Sequence, residues 1–477
     1  MNRTFASLAY PSYRKWFIGA IVANIGTWMQ RIAQTWLVLT ELSDDSGLAV
    51  SLVVAFQFLP VLFLTPIGGL LADRVPRRAL IQLTQAGLAL ASVGLGTLVL
   101  TGVIELWHVY VFAVLLGILS SLDSPVRQTF VSELVPRRSL PNAVGLNGAS
   151  FNTARIFGPA LAGFLVAWVG SGWVFMLTGA GFLAPIIAVG MMKDEDMYTE
   201  PRLDKEQSDR RSRGFGEALR YVRTHADIAL ILVVMGFVSA FGLNFQLFIS
   251  IMIREAYGRG PEDFGIVNTL MGLGALAGAL MAARRVRPRT RLVVFAAFFY
   301  GALLVAAASA PTYAWFAIAL IPAGLMSTTM MNSANSTIQL ASEPHVRGRV
   351  MSLYLMVFLG STPIASPLMG WIADTFGARV SVALGGIVTM LAALGAMLWA
   401  WRRWGVRVEW VVRPRPAMQV INPVDTAAAT ATASEPIDLQ HVDHATELAR
   451  RADPKQERRG RSRAPFRFAR RRSRSNE

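Results

Sequence analysis

The sequence contains no cysteine and only five histidines, and these shortages exclude several kinds of site. Without cysteine, the chain has no disulfide framework, no thiolate metal ligand and no thiol nucleophile. None of the histidines has a spacing typical of metal ligands. They are His108, His225, His345, His441 and His444. The sequence also has no P-loop and no nucleophile–base motif. We therefore expect no enzyme, no direct drive by ATP, no metal site and no bound cofactor.

Charged residues are also scarce, at 16% of the chain, while 53% of the residues are hydrophobic. A soluble domain carries about a quarter charged residues. The apolar residues recur in blocks of about 20–25, the length that crosses ~30 Å of hydrocarbon as a helix. Since lipid offers no partner for backbone N–H and C=O groups, the blocks predict an all-α integral membrane protein. The predicted spans cover residues 14–40, 48–72, 79–101, 106–131, 142–168, 172–192, 227–254, 262–283, 290–310, 313–338, 347–374 and 378–402.

Arginine and lysine are concentrated in one of the two sets of loops that twelve spans create. The set that includes the N-terminal segment holds 24 of them, and the other set holds three, Arg254, Arg259 and Arg379. Loops rich in Arg and Lys stay in the cytoplasm, so both termini are predicted to be cytoplasmic. The net charge of +16 follows from this topology and from the tail, so we expect no nucleic-acid partner.

The long loop after the sixth span divides the chain into two related halves. Ser132-Glu133 after the fourth span corresponds to Ser342-Glu343 after the tenth, and Gly158-Pro159 parallels Ser366-Pro367 further along. Two six-helix halves are typical of secondary transporters, which bind substrate between the halves. The predicted domains are an N-terminal bundle, residues 1–192; a cytoplasmic loop, residues 193–226; a C-terminal bundle, residues 227–402; and a tail, residues 403–477.

The tail is polar and basic, with an Ala/Thr run at 426–433 and an arginine-rich end at 470–475. Such a composition cannot bury a core, so residues 403–477 are predicted to be disordered. One interpretation is a solubilising cytoplasmic tail that lies on anionic lipid. The alternatives are regulation or nucleic-acid binding by the tail alone.

A tight charged turn joins the second and third spans, and it reads Gly69-Leu-Leu-Ala-Asp73-Arg74-Val-Pro76-Arg77-Arg78. It resembles the signature of the major facilitator superfamily, Gly-x-x-x-Asp-Arg-x-Gly-Arg-Arg, with Pro76 in place of the usual glycine. The resemblance implies two pseudo-symmetric six-helix bundles that rock against each other, with this turn as a latch of the outward-open state. The corresponding second-half loop, residues 278–291, has no Asp, so only one latch is implied. The implied latch residues are Gly69, Asp73, Arg74, Arg77 and Arg78, with Asp123 and Arg127 on the fourth span.

Asp123 and Arg127 are four residues apart, and therefore lie on one face of the fourth helix. In the superfamily an acidic residue on this helix joins the latch charges, and Asp123 resembles it. A proton-driven exchanger needs a carboxylate that gains and loses a proton, and Asp123 is the predicted proton-coupling residue. The alternative is a locally satisfied ion pair at a helix end.

The fifth span carries a second element, Ala154-Arg-Ile-Phe-Gly158-Pro159-Ala-Leu-Ala162-Gly163. It is similar to the Gly-x-x-x-Gly-Pro-x-x-Gly-Gly element of superfamily antiporters, which implies export by exchange through Gly158, Pro159 and Gly163. The alternative is ordinary helix packing by small residues. This element and the residues around Asp123 and Glu133 together form a wider pattern. Through it, residues 10–402 resemble the transmembrane secretion effector subgroup of enterobactin exporters and macrolide efflux pumps. This implies a multi-pass protein of the bacterial plasma membrane.

Polar residues inside the predicted spans fall on single helical faces, most clearly on the first and tenth spans. The superfamily resemblance implies that spans 1, 4, 7 and 10 line a cavity, and the alternative is hydrogen bonding between helices. Arg31 and Arg155 lie deep in their spans and no acidic residue lies equally deep, so we expect an anionic or neutral amphiphilic substrate. The predicted cavity residues are Asn24, Arg31, Gln34, Asn152, Arg155, Asn244, Gln246, Asn332, Asn335 and Gln339.

The function expected from the sequence is secondary active export of small amphipathic molecules, such as siderophore-like compounds, macrolides or other drugs. Alternating access and proton antiport would drive it, with the proton gradient as energy source, and the chain would act as a monomer among membrane lipids. The alternatives are an importer or lysophospholipid flippase of the same fold, or a membrane sensor or scaffold that has lost transport.

Overall fold

A computed structural model describes residues 3–193, 195, 197–198, 215–283, 290–343, 346–404, 407–411 and 417–421. Side chains are described for the same residues except 3–4, 65–74, 215, 217–218, 283 and all from 403 onward. The predicted latch residues Asp73 and Arg74 are therefore described through their backbone only. The Ala/Thr run and the arginine-rich end of the tail lie outside the described residues.

The described residues are almost all helical, as the sequence predicts. Ten segments are long and apolar enough to cross a membrane by length and composition. The helices α1 and α5 are as long but fall outside this group, because polar residues such as Arg31 and Arg155 interrupt them. The helices are α1 Pro11–Leu37, α2 Gly47–Arg74, α3 Arg77–Leu100, α4 Leu106–Phe130, α5 Leu140–Val169, α6 Ser171–Gly190, α7 Phe215–Thr224, α8 Ala226–Phe237, α9 Phe245–Ile251, α10 Pro261–Ala283, α11 Thr290–Ala308, α12 Tyr313–Ala341, α13 Arg347–Phe376 and α14 Ala378–Trp404.

The seventh predicted span, residues 227–254, corresponds to one membrane-length segment, Ala226–Ala256, but its helix is interrupted, which the sequence does not predict. Helix α8 passes into a π-helical turn, Val238–Gly242, and α9 restarts after Asn244, whose φ of −86° and ψ of 49° are not helical. The break leaves main-chain groups without helical partners, and side chains replace these partners. The Tyr300 hydroxyl donates to the Gly242 carbonyl at 2.6 Å, and Asn244 Nδ2 donates to the Ala240 carbonyl at 2.8 Å.

Helix packing divides the described helices into two groups. Within the first, α1 packs against α5 and α6, α2 against α4, and α3 against α4 and α6. Within the second, α10 and α11 pack against α12, and α13 packs against α8 and the π-helical turn. Two pairs make the most extensive contacts between the groups, α2 with α13 and α5 with α10, and α9 also contacts α1 and α2. In two equivalent halves, α10 is the counterpart of α2 and α13 is the counterpart of α5. The contact between α2 and α13 therefore corresponds to the contact between α10 and α5.

The two halves contact each other closely at one end of the bundle. We call the end where α2 joins α3 the basic end, because Arg77 and Arg78 lie there, and the other the opposite end. At the opposite end, a Cβ placed on Gly163 of α5 would lie 3.0 Å from the Cα of Gly265 in α10. A Cβ on Gly370 of α13 would lie 2.5 Å from the carbonyl oxygen of Gly47 in α2. These glycines let the helices of the two halves cross without side chains between them.

The chain forms two compact units, Met1–Leu398 and Trp399–Glu477. In the second, β1, Arg407–Val411, pairs with β2, Ala417–Ile421, in an antiparallel hairpin that places Trp410 opposite Met418. The sequence predicts no ordered structure here, so these two strands differ from the prediction. The alternation of apolar and other residues around Val408 and Trp410 is typical of a strand sequence.

Candidate functional site

Asp123 is buried and fully hydrogen-bonded between α3 and α4. Asp123 is 5% exposed to solvent. Oδ1 accepts hydrogen bonds from Thr84 Oγ1 at 2.8 Å and from Gln85 Nε2 at 2.9 Å, both from α3. Oδ2 faces Arg127 Nη1 at 3.6 Å, one turn further along α4. A buried charge is tolerated only with such partners, and Asp123 has three.

Arg127 extends this network to two further helices. Its Nη2 donates to Asn24 Oδ1 of α1 at 3.1 Å, and its guanidinium lies 5.5 Å from the ring centroid of Trp16. Asn24 Nδ2 in turn donates to Ser150 Oγ of α5 at 3.3 Å. The structure thus joins Asp123, Arg127 and Asn24 in one network, although the sequence assigns Asn24 to the cavity and the other two to the latch.

The basic residues after the turn have partners that the sequence does not predict. Arg77 Nη1 pairs with Glu133 Oε1 at 2.5 Å, and both side chains are mostly buried, 23% and 14% exposed. Arg78 Nη2 donates to the Met192 carbonyl beyond the end of α6 at 2.8 Å. In the sequence, Glu133 stands out through the repeated Ser-Glu pair and the subgroup resemblance, and neither predicts its pairing with Arg77. The side chains of Asp73 and Arg74 lie outside the described residues, and Gly69 is described as part of α2.

Exchanging the charges of Arg77 and Glu133 tests whether this pair stabilises the turn. Arg77→Glu and Glu133→Arg should each lower the midpoint of thermal unfolding, because each places two like charges together. The double exchange should recover most of the loss, with a coupling free energy of about 1 kcal/mol. Unfolding of the detergent-purified protein, followed by circular dichroism, measures all three. Arg220→Glu on the exposed face of α7 is the control for adding a negative charge. Additive single effects would contradict the pairing.

The glycine and proline element of α5 lies where α5 crosses two other helices. A Cβ on Gly158 would lie 2.6 Å from the Cβ of Trp28 in α1, so α1 and α5 cross there. Gly163 faces Gly265 across the junction between the halves, and Thr269 Oγ1 of α10 donates to the Ile156 carbonyl at 2.9 Å. Pro159 has no N–H to donate within the helix. The element therefore joins the halves, and its role in exchange remains a prediction.

One of the two deep arginines, Arg31, lies near a tryptophan, and the other lies on a helix face that approaches the same tryptophan. The Arg31 guanidinium lies 5.3 Å from the ring centroid of Trp28 and 5.8 Å from that of Phe58. The Trp28 ring also contacts Phe151 of α5, 6.0 Å between centroids. Arg155 lies on the same face of α5 as Phe151 and Gly158, which both approach Trp28. Among the described residues, neither arginine has a carboxylate within ion-pair distance.

Several buried polar atoms on the helices of the predicted cavity have no protein partner. In native proteins nearly all buried polar atoms are hydrogen-bonded, so a group of unpartnered ones indicates a place where water or substrate supplies the partner. They lie on α1, on the broken seventh span and on α12, and other such atoms, including Gln85 Oε1 and Ser366 Oγ, lie on α3 and α13. Among the described residues they include Trp28 Nε1, Gln30 Nε2, Gln34 Nε2, Asn244 Oδ1, Gln246 Nε2 and Thr328 Oγ1.

The remaining predicted cavity residues line a cleft or bond within their own helix. A cleft of about 350 Å³ lies between α10 and α12 toward the basic end. Gln339 Nε2 donates to Asn335 Oδ1 within its wall. Asn152 Nδ2 donates to the Gly148 carbonyl of its own helix at 2.9 Å. The cleft is lined by Ala279, Ala282, Asn332, Asn335, Ser336 and Gln339.

A family model described as transmembrane secretion effector matches residues 2–420. The chain belongs to the transmembrane secretion effector family. This family is part of the major facilitator superfamily, and the chain's relatives are transporters of that superfamily. The protein is therefore a multi-pass membrane transporter and not an enzyme, as the sequence predicts.

Curated relatives of this transmembrane secretion effector cover most of its length. A transporter of the major facilitator type from Bacillus subtilis, YfiS, is 27% identical over 78% of this chain and 89% of its own. The staphyloferrin A transporter of Staphylococcus aureus is 22% identical over 78% and 92%. The multidrug efflux pump Tap of Mycolicibacterium fortuitum is 25% identical over 75% and 88%.

Solved structures share the fold. A bacterial homologue of the human lysosomal transporter Spinster, inward-facing and unoccupied, superposes with a TM-score of 0.65 at 15% identity. The match covers 81% of this chain and 97% of the other. A bacterial homologue of the iron transporter ferroportin gives a TM-score of 0.64 at 14% identity, over 82% and 98%. These likenesses confirm the major facilitator fold predicted from the sequence.

Proposed function

We propose that this protein exports small amphipathic molecules across the bacterial plasma membrane by alternating access, in exchange for protons and without a bound cofactor. The observation that carries the proposal is the group of unpartnered polar atoms on α1, which also carries Arg31 and Trp28, on the broken seventh span and on α12. It contains more hydrogen-bonding capacity than the protein itself satisfies, which a bound substrate would use.

The proposed substrate is anionic or neutral, and amphipathic. Two arginines, Arg31 and Arg155, have no carboxylate partner among the described residues, and they favour an anion, because a guanidinium in a low-dielectric site is stabilised by a negative charge. The rings of Trp28 and Phe58 lie beside Arg31 and offer apolar contact area to the same molecule. A lipophilic cation would be repelled by this arrangement.

The efflux pump among the relatives supports export, and the relatives together leave room for more than one substrate class. One is named as a siderophore transporter and another as a multidrug efflux pump. Siderophores carry anionic oxygen donors, and many drugs are amphiphiles of similar size. The site beside Trp28 suits either.

Alternating access is supported by the uneven contact between the halves. They pack closely through glycines at the opposite end, whereas polar residues of α12 line an open cleft toward the basic end. With the basic end in the cytoplasm, as the distribution of Arg and Lys predicts, this arrangement faces inward. An exporter in this state loads its substrate from the cytoplasm.

Comparing a deletion strain with a strain that overexpresses the protein tests the function and its direction. Untargeted mass spectrometry of cells and medium should find a small amphipathic compound that accumulates inside the deletion strain and outside the overexpressing one. A strain that expresses Arg31→Ala is the control for effects of membrane overexpression. Accumulation of the compound outside the deletion strain would favour import. No difference between the strains would favour a sensor or scaffold and contradict the proposal.

A further inference from the structure

The end of α13 repeats the signature that follows α2. Residues Gly370 to Arg379 read Gly-Trp-Ile-Ala-Asp-Thr-Phe-Gly-Ala-Arg, against Gly-Leu-Leu-Ala-Asp-Arg-Val-Pro-Arg-Arg from Gly69 to Arg78. Glycine, alanine, aspartate and the last arginine coincide. At the eighth position the second copy has Gly377, with φ of 91°, a conformation that side chains other than glycine rarely adopt. This second copy lies at the opposite end of the bundle.

The last arginine makes the same kind of contact in both copies. Arg78 donates to a main-chain carbonyl just beyond the end of α6. Arg379 Nη1 donates to the carbonyls of Ala308 at 2.9 Å and Ala310 at 2.7 Å, at the end of α11. Unpaired carbonyls at a helix C-terminus carry partial negative charge, which a guanidinium stabilises. The two copies therefore share local geometry as well as sequence.

The aspartate of the second copy caps a helix of the other half. Asp374 Oδ1 accepts from the Gly47 N–H at 2.5 Å, and Oδ2 accepts from the Leu48 N–H at 3.1 Å and from Ser46 Oγ at 2.8 Å. The first N–H groups of a helix have no partner within it, and the N-terminus attracts negative charge. Asp374 of α13 thus serves as a capping residue for α2.

A second contact between the halves lies beside this cap. Arg254 Nε, near the end of the broken seventh span, pairs with Asp45 Oδ1 at 2.8 Å. Asp45 immediately precedes Ser46, so the ion pair and the cap hold the same short segment. The contact of Gly370 with Gly47 allows α13 to approach close enough for the cap to form.

We infer that Asp374 is a gating residue that holds the opposite end closed, as the counterpart of the signature turn at the basic end. Helices α2 and α13 run antiparallel and each has a signature aspartate near its C-terminal end, and Asp374 lies beside the N-terminus of α2. Opening the opposite end requires the Asp374 cap to break. The inference deepens the proposed function, since it rests on alternating access.

Spin labels at Val103 and Val380 measure the gate without any substrate. Both residues are exposed, at the opposite end and in different halves, and the absence of native cysteine makes the labelled pair unique. Asp374→Ala should raise the ratio of long to short label distances about fivefold, the usual effect of losing a cap. Asp374→Asn, which keeps an acceptor but no charge, should raise it about twofold.

Thr375→Ala is the matched control, because Thr375 is exposed beside Asp374 and its hydroxyl bonds only to the Trp371 carbonyl of its own helix at 2.8 Å. Its distances should equal those of the unsubstituted protein. If Asp374→Asn and Asp374→Ala both give the distribution of the control, the gate does not exist; if the alanine variant does not fold, the asparagine variant decides alone. Transport assays are separate, so loss of the proposed export function would leave the gating result standing.

Discussion

Replacing Arg31 by alanine should lower the export of an acidic amphiphile about ten- to hundredfold below saturation, because a charge-assisted hydrogen bond contributes about 1.5–3 kcal/mol. Arg31 has aromatic neighbours but no carboxylate partner among the described residues, so its charge is available to substrate. Arg155→Ala should act in the same direction, because Arg155 lies on the face of α5 that approaches Trp28. Uptake of a labelled acidic compound into everted vesicles measures both, as initial rate against substrate concentration.

Matched variants separate charge from folding and from general loss of basic residues. Arg31→Lys keeps the charge but not the planar guanidinium that lies 5.3 Å from the Trp28 ring centroid, and should retain part of the activity. Arg259→Ala removes an arginine at the opposite end, where it pairs with Asp263 at 3.1 Å, and should leave substrate affinity unchanged. Arg31→Ala should lower the export of a neutral substrate less than the export of an acidic one. Equal rates for Arg31→Ala and the unsubstituted protein would exclude an anion site at Arg31.

The helices were predictable because each is a local property of the sequence. Apolar runs of the right length must be helical in lipid, so helix ends such as Leu106 and Thr290 coincide with the predictions. The break in the seventh span was not predictable in this way. The Gly242 carbonyl in the break accepts a hydrogen bond from Tyr300 of α11, a contact that becomes possible only after the helices pack.

The same distinction applies to the candidate site. The i, i+4 relation of Asp123 and Arg127 follows from helical periodicity alone. Their partners Thr84, Gln85 and Asn24 lie on other helices, and no spacing in the sequence links them. For Asn24 the alternative was hydrogen bonding between helices, and its side chain does bond to Arg127 of α4. Gln34 and Gln246 each keep a side-chain nitrogen without a protein partner.

The second signature is readable in the sequence, but pseudo-symmetry points to the wrong place for it. Equivalence of the halves leads from the turn after α2 to residues 278–291, which contain no Asp. The repeat is instead at Asp374, because α13 is the antiparallel neighbour of α2 and its C-terminal end lies beside the N-terminus of α2. A contact between neighbouring helices, rather than equivalence between halves, determines where a second aspartate can cap a helix.

Replacing Asp123 by asparagine should abolish most of the pH-driven component of transport, with a fall of about tenfold or more, equivalent to about 1.4 kcal/mol. The asparagine side chain would keep an acceptor for Thr84 or Gln85 but could neither release nor bind a proton. It would also leave Arg127 without its carboxylate, so the network from α3 to α5 would no longer respond to proton uptake. Substrate export from vesicles under an imposed pH gradient measures the effect.

Two comparisons decide whether the loss reflects proton coupling at Asp123. Substrate exchange at equal pH on both sides should persist in Asp123→Asn, because this mode needs no net proton movement. Asp263→Asn is the matched control, since Asp263 also pairs with an arginine four residues away but lies at the opposite end, outside the buried network. It should keep the full response to the pH gradient. If the Asp123→Asn protein still concentrates substrate under the imposed pH gradient, the proton is carried by another residue. If exchange at equal pH is lost together with pH-driven transport, the network has a structural role instead.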